Sequence, residues 1–171
     1  MLRRTKAEVL PELPEKRRLV QQIDADDMVY RRLMQPVLEK LRLLRADGDM
    51  SPSARALLMD QISLEERQAT GIAKAPFVCQ FVRALLENGE RVLLFAHHHA
   101  LMDIYRQELH AFSPAFITGR DSGAQKEEAA ARFMQGQTNL CCVSLRAASG
   151  LNLQRASCGV FGELDWAPAV H

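Results

Sequence analysis

Two apolar runs in the last third of the chain, each followed by polar residues, constrain the fold most strongly. The first run, residues 140–143, is typical of a strand that is covered on both faces of a parallel sheet. Small or charged residues follow it, and the second run, residues 160–162, is followed by Glu163, Asp165 and Trp166. In open α/β sheets, ligands bind at the edge where the carboxyl ends of the strands meet. The two runs therefore predict buried strands with a site at that edge.

Upstream of these runs, the apolar periodicity alternates between helices and strands. It predicts helices over residues 24–45, 54–66, 101–112 and 122–134, another helix that ends at Asn88-Gly89, and strands over residues 91–96 and 115–118. Asp24 or Asp26 is expected to cap the first helix, and Pro36 is expected to kink it. This alternation indicates an α/β fold with a parallel sheet.

The composition is that of a globular domain without an overall basic field. The 171 residues are 47% hydrophobic and 25% charged, with a net charge of +1, so any binding of nucleic acid must come from local patches. The four cysteines lack Cys-x-x-Cys spacing and are interpreted as core residues in a reducing compartment. We expect no membrane span, because no apolar run approaches about 18 residues.

The consecutive residues His97, His98 and His99 lack further ligands that would complete a metal site.

The segment around the two runs resembles motif V of helicase superfamily II, in the form carried by Swi/Snf-type DNA translocases. It is most similar to the annealing-helicase, or fork-remodelling, branch. The matching residues are Ser144, Ala147-Ala148, Gly150-Leu151, Ala156-Ser157, Val160-Phe161, Glu163-Leu164, Trp166 and Pro168. Residues 1–16 resemble the block that joins the two motor lobes in this family, residues 67–75 resemble the start of the second lobe, and residues 92–98 resemble motif IV. Residues 117–133 resemble a further family pattern that begins with Ile-x-Gly.

The resemblance implies a RecA-like second lobe, with a parallel sheet flanked by helices and a helical protrusion near the N-terminus. We accordingly divide the chain into an inter-lobe linker at residues 1–22, a helical protrusion at 23–66, and lobe two at 67–171. The chain ends before the family's arginine-finger motif, so this division predicts a lobe that is incomplete at its C-terminus.

The same resemblance implies two groups of site residues and no catalytic or metal-binding residue within this stretch. The residues expected to contact the DNA backbone are Ser144, Arg146, Thr118 and Gly119, with His97, His98 and Lys126 as further candidates. The residues expected at the nucleotide cleft are Gly150 and Asn152, with Arg3 or Arg4 nearby. Glu163 and Trp166 are expected to brace the motif or to couple the lobes.

The sequence departs from the family pattern in two places. Ala-Ala-Ser-Gly-Leu is one residue shorter than the family's Ala-Ala-Gly-x-Gly-Leu, and Ser149 replaces the first glycine. Lys126 stands where the family usually has arginine, and a lysine keeps the charge but lacks the planar fork for bidentate phosphate binding.

The implied function is that of a motor protein that hydrolyses ATP, with Mg²⁺, between two lobes and moves along double-stranded or forked DNA. The resemblance implies that the intact protein is a DNA-dependent ATPase. The chain contains no G-x-x-x-x-G-K-[ST] phosphate loop, so we expect this stretch alone to be inactive. The other lobe is expected in the same protein, which would be cytoplasmic and nucleoid-associated in a bacterium or nuclear in a eukaryote.

Two alternatives remain open at this point. The first is a non-catalytic DNA-binding or protein-interaction module on a degenerate lobe, which the shortened motif V and the small net charge favour. The second is an unrelated α/β enzyme that uses His97 or a cysteine as its catalytic group.

Overall fold

The structure, a computed structural model, describes residues 17–46, 48, 50–147 and 150–163. Long helices form its first half, and strands alternate with shorter helices in its second half. The helices are α1 (Asp27–Ala46), α2 (Pro52–Glu87), α3 (His99–Glu108) and α4 (Gly123–Met134), and a 3₁₀ turn spans His110–Phe112. The strands are β1 (Val92–Ala96), β2 (Ala115–Ile117), β3 (Leu140–Ser144) and β4 (Cys158–Phe161).

The four strands form one parallel sheet in the order β2-β3-β1-β4. All five residues of β3 are buried, because β2 and β1 cover its edges and apolar clusters cover its two faces. The parallel sheet flanked by helices confirms the predicted RecA-like α/β fold class.

Two apolar clusters cover the sheet and explain why its strands are so hydrophobic. The first cluster joins α2 and α3 to the sheet, and its largest fully buried members include Tyr105, Leu94 and Leu101. The second cluster joins α4 to β2 and β3 around the fully buried Phe133. The helices therefore pack on the sheet through two separate cores. Parallel strands with apolar side chains on both faces require such cover on each face.

Local sequence signals define where three of the helices begin. The Asp26 carboxylate accepts hydrogen bonds from the backbone N–H groups of Met28 (3.0 Å) and Val29 (2.9 Å), so Asp26 is the predicted cap of α1. Ser51 caps α2 in the same way, through Ala54. Ser122 and Gln125 form a reciprocal capping box at the start of α4.

The helical region differs from the prediction, because one continuous helix of 36 residues, α2, replaces the two predicted there. Helix α2 continues through Pro76, and residues on both sides of that proline, among them Ala75 and Val78, are fully or almost fully buried against the first cluster. Tertiary packing thus outweighs the backbone hydrogen bond that a proline removes. The boundary that we placed between residues 66 and 67 falls inside this helix, and the division into domains stays a prediction.

Strand β4 also differs from the prediction that both strands of the motif are buried. Only β1 pairs with it in the part of the chain that the structure describes, and its residues alternate between half-buried and exposed. Phe161 remains 40% exposed, although its ring stacks on Phe95 with 4.8 Å between the ring centroids. The strand lies at the edge of the described sheet, which explains why its apolar run is not covered on both faces.

Candidate functional site

Because all four strands are parallel, the residues that follow them lie along one edge of the sheet, which we call the carboxyl edge. In sheet order, Thr118 and Gly119 follow β2, Ser144 ends β3 and Arg146 follows it, His97 and His98 follow β1, and Glu163 follows β4. The structure thus brings most of the predicted DNA-contacting residues together, as the rule for parallel sheets led us to expect.

The turn after β2 is held by a carboxylate that the sequence analysis did not single out. Asp121 accepts hydrogen bonds from the backbone N–H (2.6 Å) and the hydroxyl (2.8 Å) of Thr118, while the N–H of Arg120 donates to that hydroxyl oxygen (3.2 Å). Thr118 is buried, whereas Gly119 and Arg120 are exposed. The groups that this turn presents to a ligand are therefore the Gly119 backbone and the Arg120 side chain, rather than the Thr118 hydroxyl. An aspartate three residues after the threonine was the available signal.

The turn after β3 presents a cation. Ser144 is only 8% exposed, and its carbonyl accepts a hydrogen bond from the N–H of Ala147 (2.8 Å). The N–H of Leu145 donates to the carbonyl of Ala96 (3.1 Å), which continues the pairing of β3 with β1 for one residue beyond the strand. Arg146, by contrast, is exposed.

The turn after β1 is bound to Glu163, which lies at the end of β4. The Glu163 carboxylate accepts hydrogen bonds from the backbone N–H groups of His97 (2.8 Å) and His98 (2.9 Å). Its other oxygen lies 2.6 Å from Nδ1 of His98, and both side chains are largely buried. The carboxylate thus occupies the N-terminal end of α3, where the helix dipole favours a negative charge. This geometry agrees with the expectation that Glu163 braces the motif.

The two histidines are therefore less accessible to DNA than the sequence implied. The His98 side chain is 12% exposed and directs Nδ1 to Glu163, and both backbone N–H groups of the turn are already used. The geometry favours an internal, structural role for His98. The DNA contacts assigned to His97 and His98 stay predictions.

Helix α2 approaches the Glu163 side chain closely at Gly71, and we expect Gly71→Ala to destabilise the protein. In a helix, alanine is normally favoured over glycine by about 0.8–1.0 kcal/mol. Here an added Cβ would lie 2.8 Å from Oε1 of Glu163 and 3.0 Å from Cδ2 of Leu101, and overpacking of this kind costs about 1–3 kcal/mol. The matched control is Gly123→Ala at the start of α4, where nothing lies within 4 Å of an added Cβ. Thermal unfolding of both variants checks the sign, and a Gly71→Ala variant at least as stable as the control would contradict it.

The residues predicted for the nucleotide cleft lie in the connection between β3 and β4. Gly150 has a φ of +81° and nothing within 4 Å of an added Cβ, so its left-handed backbone is open to solvent. Asn152 is exposed, and its side-chain oxygen accepts a hydrogen bond from the N–H of Gln154 (3.2 Å). Arg3, Arg4 and Trp166 lie outside the described residues. Lys126 lies half-buried in the first turns of α4, beyond the turn that contains Gly119.

Three of the four cysteines are core residues, and Cys158 is half-buried on β4. Cys79, Cys141 and Cys142 are fully buried, and burial raises the pKa of Cys79 and of Cys141 to about 12. Burial also raises the pKa of Cys142 well above its usual value, and that of Cys158 is raised in the same direction. The thiols are therefore protonated near neutral pH, which disfavours the cysteine-based enzyme that we kept as an alternative.

Two kinds of feature are absent from the described residues. Within the ranges given above, no three or more His, Cys, Asp or Glu residues are grouped so that they could hold a metal ion. Within the same ranges, no helix is both long enough and apolar enough to cross a membrane.

Comparison with known proteins bears out the resemblance. The chain is 30% identical over 174 residues to the SWI/SNF-related matrix-associated actin-dependent regulator of chromatin subfamily A-like protein 1 of Drosophila melanogaster, and this match covers 99% of the chain and 22% of the fly protein. It is also 30% identical over 173 residues to the DNA annealing helicase and endonuclease ZRANB3 of Mus musculus, covering 98% of the chain and 16% of the mouse protein. The chain thus spans about a fifth of the length of these relatives.

A solved structure and a family model match the chain as well. The C-terminal domain of the Sulfolobus solfataricus SWI2/SNF2 ATPase superposes with a TM-score of 0.67 at 16% identity, covering 82% of this chain and 71% of that one. The family described as the helicase conserved C-terminal domain matches residues 73–171, which include β1 and every strand and helix after it. The chain therefore belongs to the helicase conserved C-terminal domain family, in the form found in SWI/SNF-related proteins.

Proposed function

We propose that this chain is the second motor lobe of an ATP-dependent translocase that acts on double-stranded or forked DNA. In this proposal the carboxyl edge contacts the DNA backbone, and the connection that carries Gly150 and Asn152 forms one wall of the nucleotide cleft. The names of the relatives, a regulator of chromatin and a DNA annealing helicase, support this assignment. The first of these names also favours the nuclear alternative of the two predicted locations.

The observation that carries the proposal is the way in which charges are arranged at the carboxyl edge. Among the described residues at this edge, the carboxylates of Asp121 and Glu163 accept hydrogen bonds from within the domain, Asp121 from Thr118 and Glu163 from the turn after β1. The two basic groups, Arg120 and Arg146, are exposed. A chain with a net charge of only +1 thus presents a cationic surface at this edge, as backbone phosphates require.

Contacts of this kind suit a translocase, because phosphates are the same at every step along the duplex. Arginine binds phosphate through a planar, bidentate fork, and such contacts position a protein on DNA without reading its sequence. We accordingly assign DNA contacts first to Arg146, the Gly119 backbone and Arg120, which are exposed. The contacts predicted for Ser144, Thr118 and Lys126 stay predictions.

The nucleotide side of the proposal depends on the other lobe for most of its chemistry. ATP and Mg²⁺ would be held mainly by that lobe, and their role is to supply the phosphoryl group and to neutralise its developing charge. In this chain, Gly150 fits a wall against which a nucleotide lies, because its backbone is open and has no side chain. Arg3 or Arg4 would approach the same cleft.

The proposal is tested by Arg146→Ala in the intact protein, with Arg91→Ala as its control. Arg91 is also exposed, but it precedes β1 and therefore lies at the opposite edge of the sheet. We expect Arg146→Ala to raise the DNA concentration for half-maximal ATPase stimulation about tenfold, as loss of a charged hydrogen bond implies. The salt dependence of DNA binding should weaken by about one unit of slope. Equal behaviour of the two variants would move the DNA contact away from this edge.

A second candidate is a non-catalytic DNA-binding or protein-interaction module on a degenerate lobe. It is favoured because the Thr118 hydroxyl and the His98 ring, which the resemblance assigned to DNA, are hydrogen-bonded within the domain to Asp121 and Glu163. Such a module would bind DNA in the intact protein without any ATP hydrolysis.

A further inference from the structure

The connection between β3 and β4, residues 145–157, crosses the sheet from its carboxyl edge back to its amino edge. We call it the connector. Its described residues form neither helix nor strand, and it carries Gly150 and Asn152. Connections of this length without regular structure are uncommon and are usually functional. A functional connector needs specific contacts that hold it against the rest of the domain.

Arg155 supplies such contacts near the end of the connector. Its guanidinium donates hydrogen bonds to the carbonyls of Phe133 (3.1 Å) and Thr138 (3.1 Å) and to the side-chain oxygen of Asn139 (2.8 Å). Its central carbon also lies 5.6 Å from the centre of the Phe133 ring. Three acceptors from the end of α4 and the start of β3 thus converge on one side chain.

The surroundings of Arg155 fit a guanidinium in particular. Phe133 lies in the last turn of α4, where the helix dipole favours a positive charge. Gly136 has a φ of +78°, and a Cβ at that position would lie 3.3 Å from Nη2 of Arg155, so the glycine leaves room for the fork. A lysine would keep the charge, but one ammonium group cannot reproduce the planar set of donors.

Residues 150–154 of the connector are held less firmly than Arg155. Leu151 and Leu153 are only partly buried against the second cluster, and both Gly150 and Asn152 are exposed. The hydrogen bond from the Gln154 N–H to Asn152 is internal to the connector and does not fix it to the rest of the domain. The placement of Gly150 and Asn152 therefore depends on the anchor that follows three residues after Asn152.

We propose that Arg155 is a positioning residue for the nucleotide cleft, which anchors the connector to the end of α4 and so holds Gly150 and Asn152 in one arrangement. This inference rests on the proposed function for the identity of the cleft. The anchoring itself rests only on the contacts of Arg155.

The experiment compares Arg155→Ala and Arg155→Lys with Arg132→Ala in the intact protein. Arg132 is a matched control because it also donates to a backbone carbonyl, that of Ser113 (3.4 Å), but does so away from the connector. The first readout is amide hydrogen exchange of residues 150–157, which does not require activity. The second readout is the KM for ATP, measured beside kcat at saturating DNA.

We expect faster exchange in the connector and a roughly tenfold higher KM for ATP in Arg155→Ala, with kcat largely retained. A tenfold change corresponds to about 1.4 kcal/mol, the scale of one charged hydrogen bond. Arg155→Lys should fall between the wild type and Arg155→Ala, and Arg132→Ala should change neither readout.

Three results would overturn the proposal in distinguishable ways. Unchanged exchange in Arg155→Ala would show that Arg155 does not anchor the connector. Faster exchange with an unchanged KM, or a loss confined to kcat, would show that the anchor has no role in the cleft. Faster exchange in Arg155→Ala, combined with a wild-type protein that hydrolyses no ATP, would overturn the proposed function and the role in the cleft. It would leave the anchoring role of Arg155 in place.

Discussion

Replacing Glu163 by alanine is expected to destabilise the domain by about 2–6 kcal/mol, because two backbone donors lose their acceptor and each unsatisfied group costs about 1–3 kcal/mol. The substitution leaves two backbone N–H groups, on His97 and His98, without their acceptor, and it leaves the His98 ring without its partner. For a domain of 150–250 residues, each kcal/mol corresponds to about 2–4 °C of melting temperature. Differential scanning calorimetry of the intact protein measures the shift in the transition of this domain.

The matched control for Glu163 is Glu108→Ala. Glu108 forms an ion pair with Arg83 at 3.0 Å, but the two side chains are 44% and 38% exposed, and exposed pairs contribute about 0–1 kcal/mol. Glu163→Gln should cost less than Glu163→Ala, since an amide oxygen can still accept from the turn. Losses of equal size in Glu163→Ala and Glu108→Ala would contradict the bracing role.

Replacing Phe133 by alanine is expected to cost about 3–5 kcal/mol, which is the usual range when a fully buried aromatic side chain leaves a cavity. Phe133 is fully buried in the second cluster, where α4 packs on β2 and β3. The ring also supports the guanidinium of Arg155, so its loss should loosen the connector as well. Calorimetry and hydrogen exchange of the connector measure the two effects.

The control for Phe133 is the same substitution at Phe81. Phe81 lies on α2 and is 37% exposed, so less apolar surface returns to water and no closed cavity forms. We expect Phe81→Ala to lower the free energy of unfolding by less than about half as much as Phe133→Ala. A loss at Phe133 as small as that expected at Phe81 would mean that α4 contributes less to the core than its burial indicates.

The strands, and the edge of the sheet at which the candidate site residues lie, could be predicted because both depend on short-range patterns. Apolar runs such as residues 140–143 are read directly from the sequence, and the parallel arrangement then places whatever follows each strand at one edge. Arg146 and Gly119 are exposed at that edge for this reason. The caps at Asp26 and Ser122 are equally local.

Features that depend on contacts between distant segments could not be predicted in this way. Glu163 and His98 are 65 positions apart, so nothing in either segment shows that the histidine turn is bound internally. The continuity of α2 through Pro76 depends on burial against the sheet. Arg155 is one of several arginines in the sequence, and its role appears only when its three acceptors are brought together by α4 and β3.

The central claim, that this chain is a motor lobe acting on DNA, is tested most directly by ATP hydrolysis of the intact protein with and without double-stranded DNA. The account predicts slow hydrolysis without DNA and a marked increase when the duplex is added, with the increase reduced in Arg146→Ala at subsaturating DNA. Hydrolysis that does not respond to DNA would contradict the proposed contact at the carboxyl edge. Binding of DNA without hydrolysis under any condition would favour the non-catalytic module instead.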